Sequence, residues 1–119
     1  MTALWIFIGG GIGSVLRYVI AVMMKPASST LPVGTLAANV LGCFLLGYLA
    51  SQPGISSRLG PEIQLGITVG VLGGFTTFST FGVETVRLYQ SGQFVYALMY
   101  VLLSILGGLV AAWGGMRFA

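Results

Sequence analysis

Gly73-Gly74-Phe75-Thr76-Thr77-Phe78-Ser79-Thr80-Phe81 falls inside a long apolar stretch suited to a membrane. Paired glycines followed by hydroxyls interleaved with phenylalanines make a poor lipid-facing helix. An unpaired backbone group is costly in hydrocarbon, so irregular backbone at that depth persists only where protein buries it or a cavity borders it. The run therefore predicts a broken membrane helix, with the break near Gly73 to Thr77, and marks the place to look for function.

The rest of the chain agrees with a membrane setting. Of its 119 residues 56% are hydrophobic and 6% charged, and the mean hydropathy is +1.00. A soluble domain carries roughly 25% charged residues. A helical span needs about 20 apolar residues, so the chain has room for four spans with short connections. The net charge of +3 is spread over isolated Lys and Arg residues, which is no footprint for nucleic acid. The one cysteine, Cys43, has no partner within the chain and reads as a small packing residue. Histidine is absent, which removes the commonest general base and metal ligand. The only carboxylate side chains are Glu62 and Glu84. No nucleophile pair or metal cluster is available for an enzyme. The N-terminus has no basic segment and no small-residue cleavage pattern, so the first span is expected to be retained.

A single integral membrane domain over 1–119 is expected, with spans at about 3–24, 31–51, 62–90 and 93–116. Lys25-Pro26-Ala27-Ser28-Ser29 ends the first span. Thr30 is placed to cap the second, with Pro32 in its first turn. Turn residues crowd 52–60. Glu62 suits the positive end of the third helix, and Ser91-Gly92 makes a tight turn before the fourth. Small residues recur at a spacing of four in every span: Gly9 and Gly13; Gly34, Ala38 and Gly42; Gly66, Gly70 and Gly74; Gly107, Ala111 and Gly115. Such rows let backbones approach closely and predict a compact bundle that oligomerises.

The charges give little orientation. With the N-terminus on side one, Arg58 and Arg117 share that side, while Lys25 and Arg87 lie on side two, with Arg17 inside span 1 and nearer side two. The bias that normally fixes insertion nearly cancels. Two oppositely inserted copies could then pair as an antiparallel dimer.

Several polar groups lie within the spans. Arg17 either snorkels toward side two or acts as a vestibule cation that draws anions or pins a helix end. Asn39 either cross-links helices or donates to an anion or pore water, since a mid-span amide must be hydrogen-bonded. Phe78 and Phe81 are three apart among hydroxyls. Ring edges are positive, so ring edges and hydroxyls together could hold a small anion weakly enough to release it. Glu84 either pairs locally with Arg87 or lies at a pore mouth. Tyr96, Tyr100 and Ser104, four apart, form a polar stripe on span 4.

Three segments carry a resemblance: Gly-Gly-Gly-Ile-Gly-Ser-Val-Leu-Arg-Tyr (9–18), Pro-Val-Gly-Thr-Leu-Ala-Ala-Asn-Val-Leu-Gly (32–42) and Gly-Gly-Phe-Thr-Thr-Phe-Ser-Thr-Phe-Gly-Val-Glu (73–84). In this order and spacing, over nearly the whole chain, they resemble the Fluc fluoride channel family, also called CrcB. The third segment is the specific one. The resemblance implies an all-α, dual-topology antiparallel homodimer of four-helix subunits in the bacterial cytoplasmic (inner) membrane. It implies two fluoride pores at the subunit interface, through which fluoride leaves passively. Phe78 and Phe81 take the positions of the pore phenylalanines and Asn39 that of the pore asparagine. Ser79, Thr80, Tyr100 and Ser104 match positions along a polar track. Arg17 matches a span 1 arginine, and Glu84 an acidic residue after the phenylalanines. The family's structural sodium ion, held by backbone carbonyls at the dimer centre, carries over to Gly73 and Thr76. The track is less regular here, because Gly108, one turn beyond Ser104, carries no hydroxyl.

A small multidrug transporter is the alternative four-span reading. It needs a carboxylate in span 1, where this chain has Arg17 instead. A non-transporting assembly subunit is the third reading, and it would have no use for hydroxyls at a helix break.

Overall fold

A computed structural model describes residues 1–119, except for the side chain of Ser56. In chain order the helices are α1 (Thr2–Met23), α2 (Val33–Ala50), the short α3 (Ile55–Leu59), α4 (Pro61–Leu65), α5 (Gly73–Phe75), α6 (Ser79–Gln90) and α7 (Phe94–Phe118). A 3-10 turn, Lys25–Ala27, follows α1, and a π-helical stretch, Gly66–Leu72, joins α4 to α5. No strand occurs among the described residues.

Four segments are long and apolar enough to cross a membrane: Thr2–Met23, Val33–Ala50, Pro61–Gln90 and Phe94–Phe118. At about 1.5 Å rise per residue, the 22 residues of α1 match a hydrocarbon core about 30 Å thick. The 25 residues of α7 exceed it, as a tilted helix does. The molecule measures 50 × 29 × 21 Å.

The glycine rows build the bundle as two close pairs. A methyl group at Gly9 would run into the Gly66 carbonyl, and one at Gly13 into the Val71 carbonyl. In return, Gly70 faces the Ile6 carbonyl and Gly74 the Gly10 carbonyl, at 2.8 and 2.6 Å from where a Cβ would stand. Helix α1 thus lies parallel to the first half of the third span, backbone on backbone. The second pair is α2 with α7: Gly47 meets the Ala112 carbonyl, Gly115 the Phe44 carbonyl, and Gly108 the Cys43 thiol. Gly34 packs on Ala21, and Gly42 on the Thr76 methyl, which joins the two pairs. Without side chains in the way, dispersion contacts form along whole helix faces, the main source of association between helices in lipid.

The connections are short. Helix α6 ends with Gly92 at φ 80°; Gln93 N–H reaches the Leu88 carbonyl at 2.9 Å and Gly92 N–H the Tyr89 carbonyl at 3.1 Å. That is a Schellman ending, which needs a left-handed residue and so favours glycine. Gly60, also at φ 80°, turns the chain into Pro61. Glu62 lies in the first turn of α4, where it accepts a hydrogen bond from Thr2 at 3.4 Å and lies 3.9 Å from the terminal amine. The expected capping by Thr30 does not form. Helix α2 begins at Val33, whose N–H is met by the Leu31 carbonyl and by the Ser28 hydroxyl at 3.2 Å. Pro32 holds the cap position itself, so the hydroxyl that serves this end comes from further back.

Candidate functional site

Helical hydrogen bonding in the third span stops at α5. Thr76 is extended, with φ −88° and ψ 157°, and α6 resumes at Ser79. An α-helix would direct the N–H of each residue to the carbonyl four back. Thr76 still does so, reaching Leu72 at 3.0 Å, with its hydroxyl on the same carbonyl at 2.9 Å. Thr77 does not. Its N–H goes to Asn39 Oδ1 at 2.7 Å, and its carbonyl accepts Asn39 Nδ2 at 2.9 Å. The Asn39 amide from α2 therefore takes both backbone groups of Thr77 and links α2 to the third span.

The carbonyls left behind need partners too. Gly74 would have been met by Phe78 in a continuous helix; its carbonyl is met instead by Arg17 Nε at 3.1 Å. Arg17 is half-buried and its guanidinium points inward from α1 rather than snorkelling away. The Gly73 carbonyl loses its helical partner because Thr77 N–H is bonded to Asn39. On the far side of the step, the Thr77 hydroxyl accepts Thr80 N–H at 3.2 Å, meeting one of the free donors in the first turn of α6.

One cavity of about 480 Å³ opens at this step. Asn39, Phe78, Phe81, Ser104, Gly73 and Thr76 all border it. Phe78 is 84% exposed, standing out from the bundle. Its ring lies 5.7 Å from that of Phe81, and Phe81 lies 5.2 Å from Tyr100. Three aromatic rings therefore run from the surface to the core, where Tyr100 is fully buried. The Ser104 hydroxyl is buried and makes no hydrogen bond. Such a group is normally satisfied, and its residue belongs to the wall of this cavity.

The other candidates lie apart from this cavity. Ser79 is exposed, and its hydroxyl is 3.3 Å from that of Thr77. Thr80 borders a second cavity of about 310 Å³ with Arg17, Ser14 and Thr35. Tyr100 backs Phe81 and points its hydroxyl to Glu84 Oε1 at 3.4 Å. Glu84 and Arg87 border a third cavity of about 270 Å³ with Ser28, Thr30 and Ser91. The local ion pair between Glu84 and Arg87 does not form: no such pair occurs among the described residues, and the carboxylate turns to Tyr100 instead. The 480 Å³ cavity also has Cys43 and Thr68 on its wall. Cys43 reads as packing from sequence alone, and nothing in its spacing signals a cavity.

The family profile described as "CrcB-like protein, Camphor Resistance (CrcB)" matches residues 4–116. The chain belongs to the CrcB family. Its relatives cover it almost from end to end. A protein of Elusimicrobium minutum named "Fluoride-specific ion channel FluC" is 50% identical over 113 residues, 93% of this chain and 87% of that one. One of Serratia proteamaculans with the same name is 48% identical over 105 residues, 88% and 83% of the two chains. "Fluoride-specific ion channel FluC 2" of Staphylococcus haemolyticus is 42% identical over 117 residues, 98% and 95%. With CrcB membership and four membrane-crossing segments, the chain is an integral membrane protein and not an enzyme.

Proposed function

We propose that this protein is a fluoride-selective channel that lets fluoride leave the cytoplasm passively. The observation that carries the reading is the step between α5 and α6. There the phenylalanines, the asparagine and an unsatisfied hydroxyl gather at one cavity, in a chain whose relatives bear the name of fluoride channels.

The chemistry suits a small, strongly hydrated anion. The path would run by Asn39, Phe78, Phe81, Ser79, Thr80, Tyr100 and Ser104, offering ring edges and hydroxyl donors. Such donors replace hydration without a fixed countercharge, so an ion can enter and also leave. Arg17 and Glu84 flank this path. Arg17 is held on the Gly74 carbonyl and draws anions toward the step; Glu84 orients the Tyr100 hydroxyl.

The working unit is an antiparallel homodimer in the bacterial cytoplasmic membrane. Two features support this. The positive charges nearly balance between the two sides, with the terminal amine, Arg58 and Arg117 against Lys25, Arg87 and Arg17. The 480 Å³ cavity opens beside an exposed Phe78, so one subunit leaves the path unclosed and a second copy would complete it. The sodium ion implied by the family would sit where Gly73 and Thr76 border that opening. Backbone oxygens are ligands for a hard cation, and the Gly73 carbonyl lacks its helical partner, so the residues fit. Two subunits would contribute matching oxygens, and the ion would supply a positive charge holding them together.

Efflux from liposomes containing the purified protein tests the function. Fluoride should leave rapidly and chloride should not. Equal efflux of both, or none from a folded protein in sodium, would remove the channel reading.

A further inference from the structure

The channel reading places Asn39 on the ion path, but its geometry gives it a second task. Both polar atoms of its amide are engaged by a single residue, Thr77, at 2.7 and 2.9 Å. An amide facing a peptide unit in this way is a two-point contact: it fixes the orientation of the peptide, not only its distance. The N–H it takes is the one that would otherwise close a helical turn onto Gly73. We propose that Asn39 is a positioning residue that breaks the third span, by competing with the Gly73 carbonyl for the Thr77 N–H and so directing Phe78 out of the bundle.

Three further observations fit this competition. Glycines and threonines at 73–77 leave the local sequence without a proline, so no covalent feature forbids a continuous helix there. Glycines and hydroxyl residues weaken the helix there, and tertiary contacts decide that it opens. Arg17 and Thr77 Oγ1 meet groups that a continuous helix would have paired within itself, the Gly74 carbonyl and the Thr80 N–H; each stabilises the open step once it exists. Asn39 takes the first of these bonds along the chain, that of Thr77 N–H, and holds the Thr77 carbonyl as well. Gly42, one turn along α2 from Ala38, presses against the Thr76 methyl, so α2 is held close enough for a side chain as short as asparagine to reach.

The inference rests on the channel reading for its consequence and on geometry for its cause, and two measurements separate them. The first is amide hydrogen exchange at Thr77 in lipid nanodiscs, which uses no fluoride. Asn39→Ala should change the exchange rate of Thr77 by at least about tenfold, while Phe78→Ala should leave it near the wild-type rate. The second is fluoride efflux in a double-substitution cycle. Asn39→Ala and Thr77→Pro each break the same contact, the proline by removing the N–H. Thr76 is already extended, as a residue before proline prefers. Asn39→Ala alone should slow efflux by at least about tenfold; Thr77→Pro leaves no N–H to close the turn onto Gly73, so the step persists without the clamp, and adding Asn39→Ala to it should slow efflux by no more than about threefold further. Asn39→Asp serves if the alanine variant does not fold. It keeps the acceptor for Thr77 N–H but sets an oxygen against the Thr77 carbonyl, and it too should alter exchange and slow efflux. Unchanged Thr77 exchange in both Asn39 variants, or efflux losses that multiply across the cycle, would overturn the proposal. A wild-type protein that passes no fluoride while Thr77 exchange responds to Asn39 would overturn the channel reading and leave the clamp standing.

Discussion

Gly13 and Gly11 stand two residues apart on the same helix and should respond in opposite ways to one methyl group. At Gly13 an added Cβ would overlap the Val71 carbonyl and lie 2.8 Å from Phe75 N. Both are backbone atoms of the π-helical stretch and α5, so no side chain can rotate out of the way. The helices must separate by more than half an ångström, and the same seam contains the Gly9–Gly66, Ile6–Gly70 and Gly10–Gly74 approaches. A gap of about 0.5–1 Å forfeits a quarter to a half of each dispersion well, and overpacking a tight core costs about 1–3 kcal/mol by itself. Gly13→Ala should therefore destabilise the fold by about 3 kcal/mol or more. It should also disturb the Arg17 contact with Gly74 one turn on. At Gly11 nothing lies within 4 Å of the added Cβ. There the substitution brings only the helix preference of alanine, worth about 1 kcal/mol in its favour. Denaturant titration of the two variants in mild detergent, followed by size-exclusion profile and tryptophan fluorescence, reads the difference. Equal losses at the two positions would refute the account of the α1 seam.

Three other expectations follow from the site. Ser104→Ala removes a buried hydroxyl that has no partner, so thermal stability should hold or rise by about 1 kcal/mol while fluoride efflux slows; a loss of stability would show that the hydroxyl is structural. Phe78→Ala trims a ring that is 84% exposed in the subunit, so subunit stability should stay within about 0.5 kcal/mol while efflux falls at least about tenfold. Unchanged efflux would take Phe78 off the path. Exchanging sodium for a bulky organic cation during purification should stop efflux and loosen the dimer on size exclusion. Full activity after exhaustive exchange would remove the proposed ion at Gly73 and Thr76.

The spans were open to reading because hydropathy and length are local properties. The glycine rows announced close packing for the same reason, though not which helix meets which. What escaped was set by distant partners. The partner of the Asn39 amide, Thr77, is 38 residues away in the chain and carries no local signal. Arg17 turned inward because Gly74 offered a carbonyl that its own helix no longer satisfied. Spacing along one helix pairs Glu84 with Arg87, but the carboxylate accepts from the buried Tyr100 hydroxyl of α7. The π-helical stretch Gly66–Leu72 leaves no periodic signature, because its one polar side chain, Thr68, stands among glycines and apolar residues on every face. Cys43 gave no sign that it borders the cavity, since its neighbours there come from α7 and the third span.

Ion efflux from liposomes carrying the purified wild-type protein, with fluoride and chloride run side by side in sodium, bears most directly on the central claim. Rapid fluoride loss with chloride retained is the predicted result. A folded, reconstituted protein that releases neither ion, or both at similar rates, would contradict it.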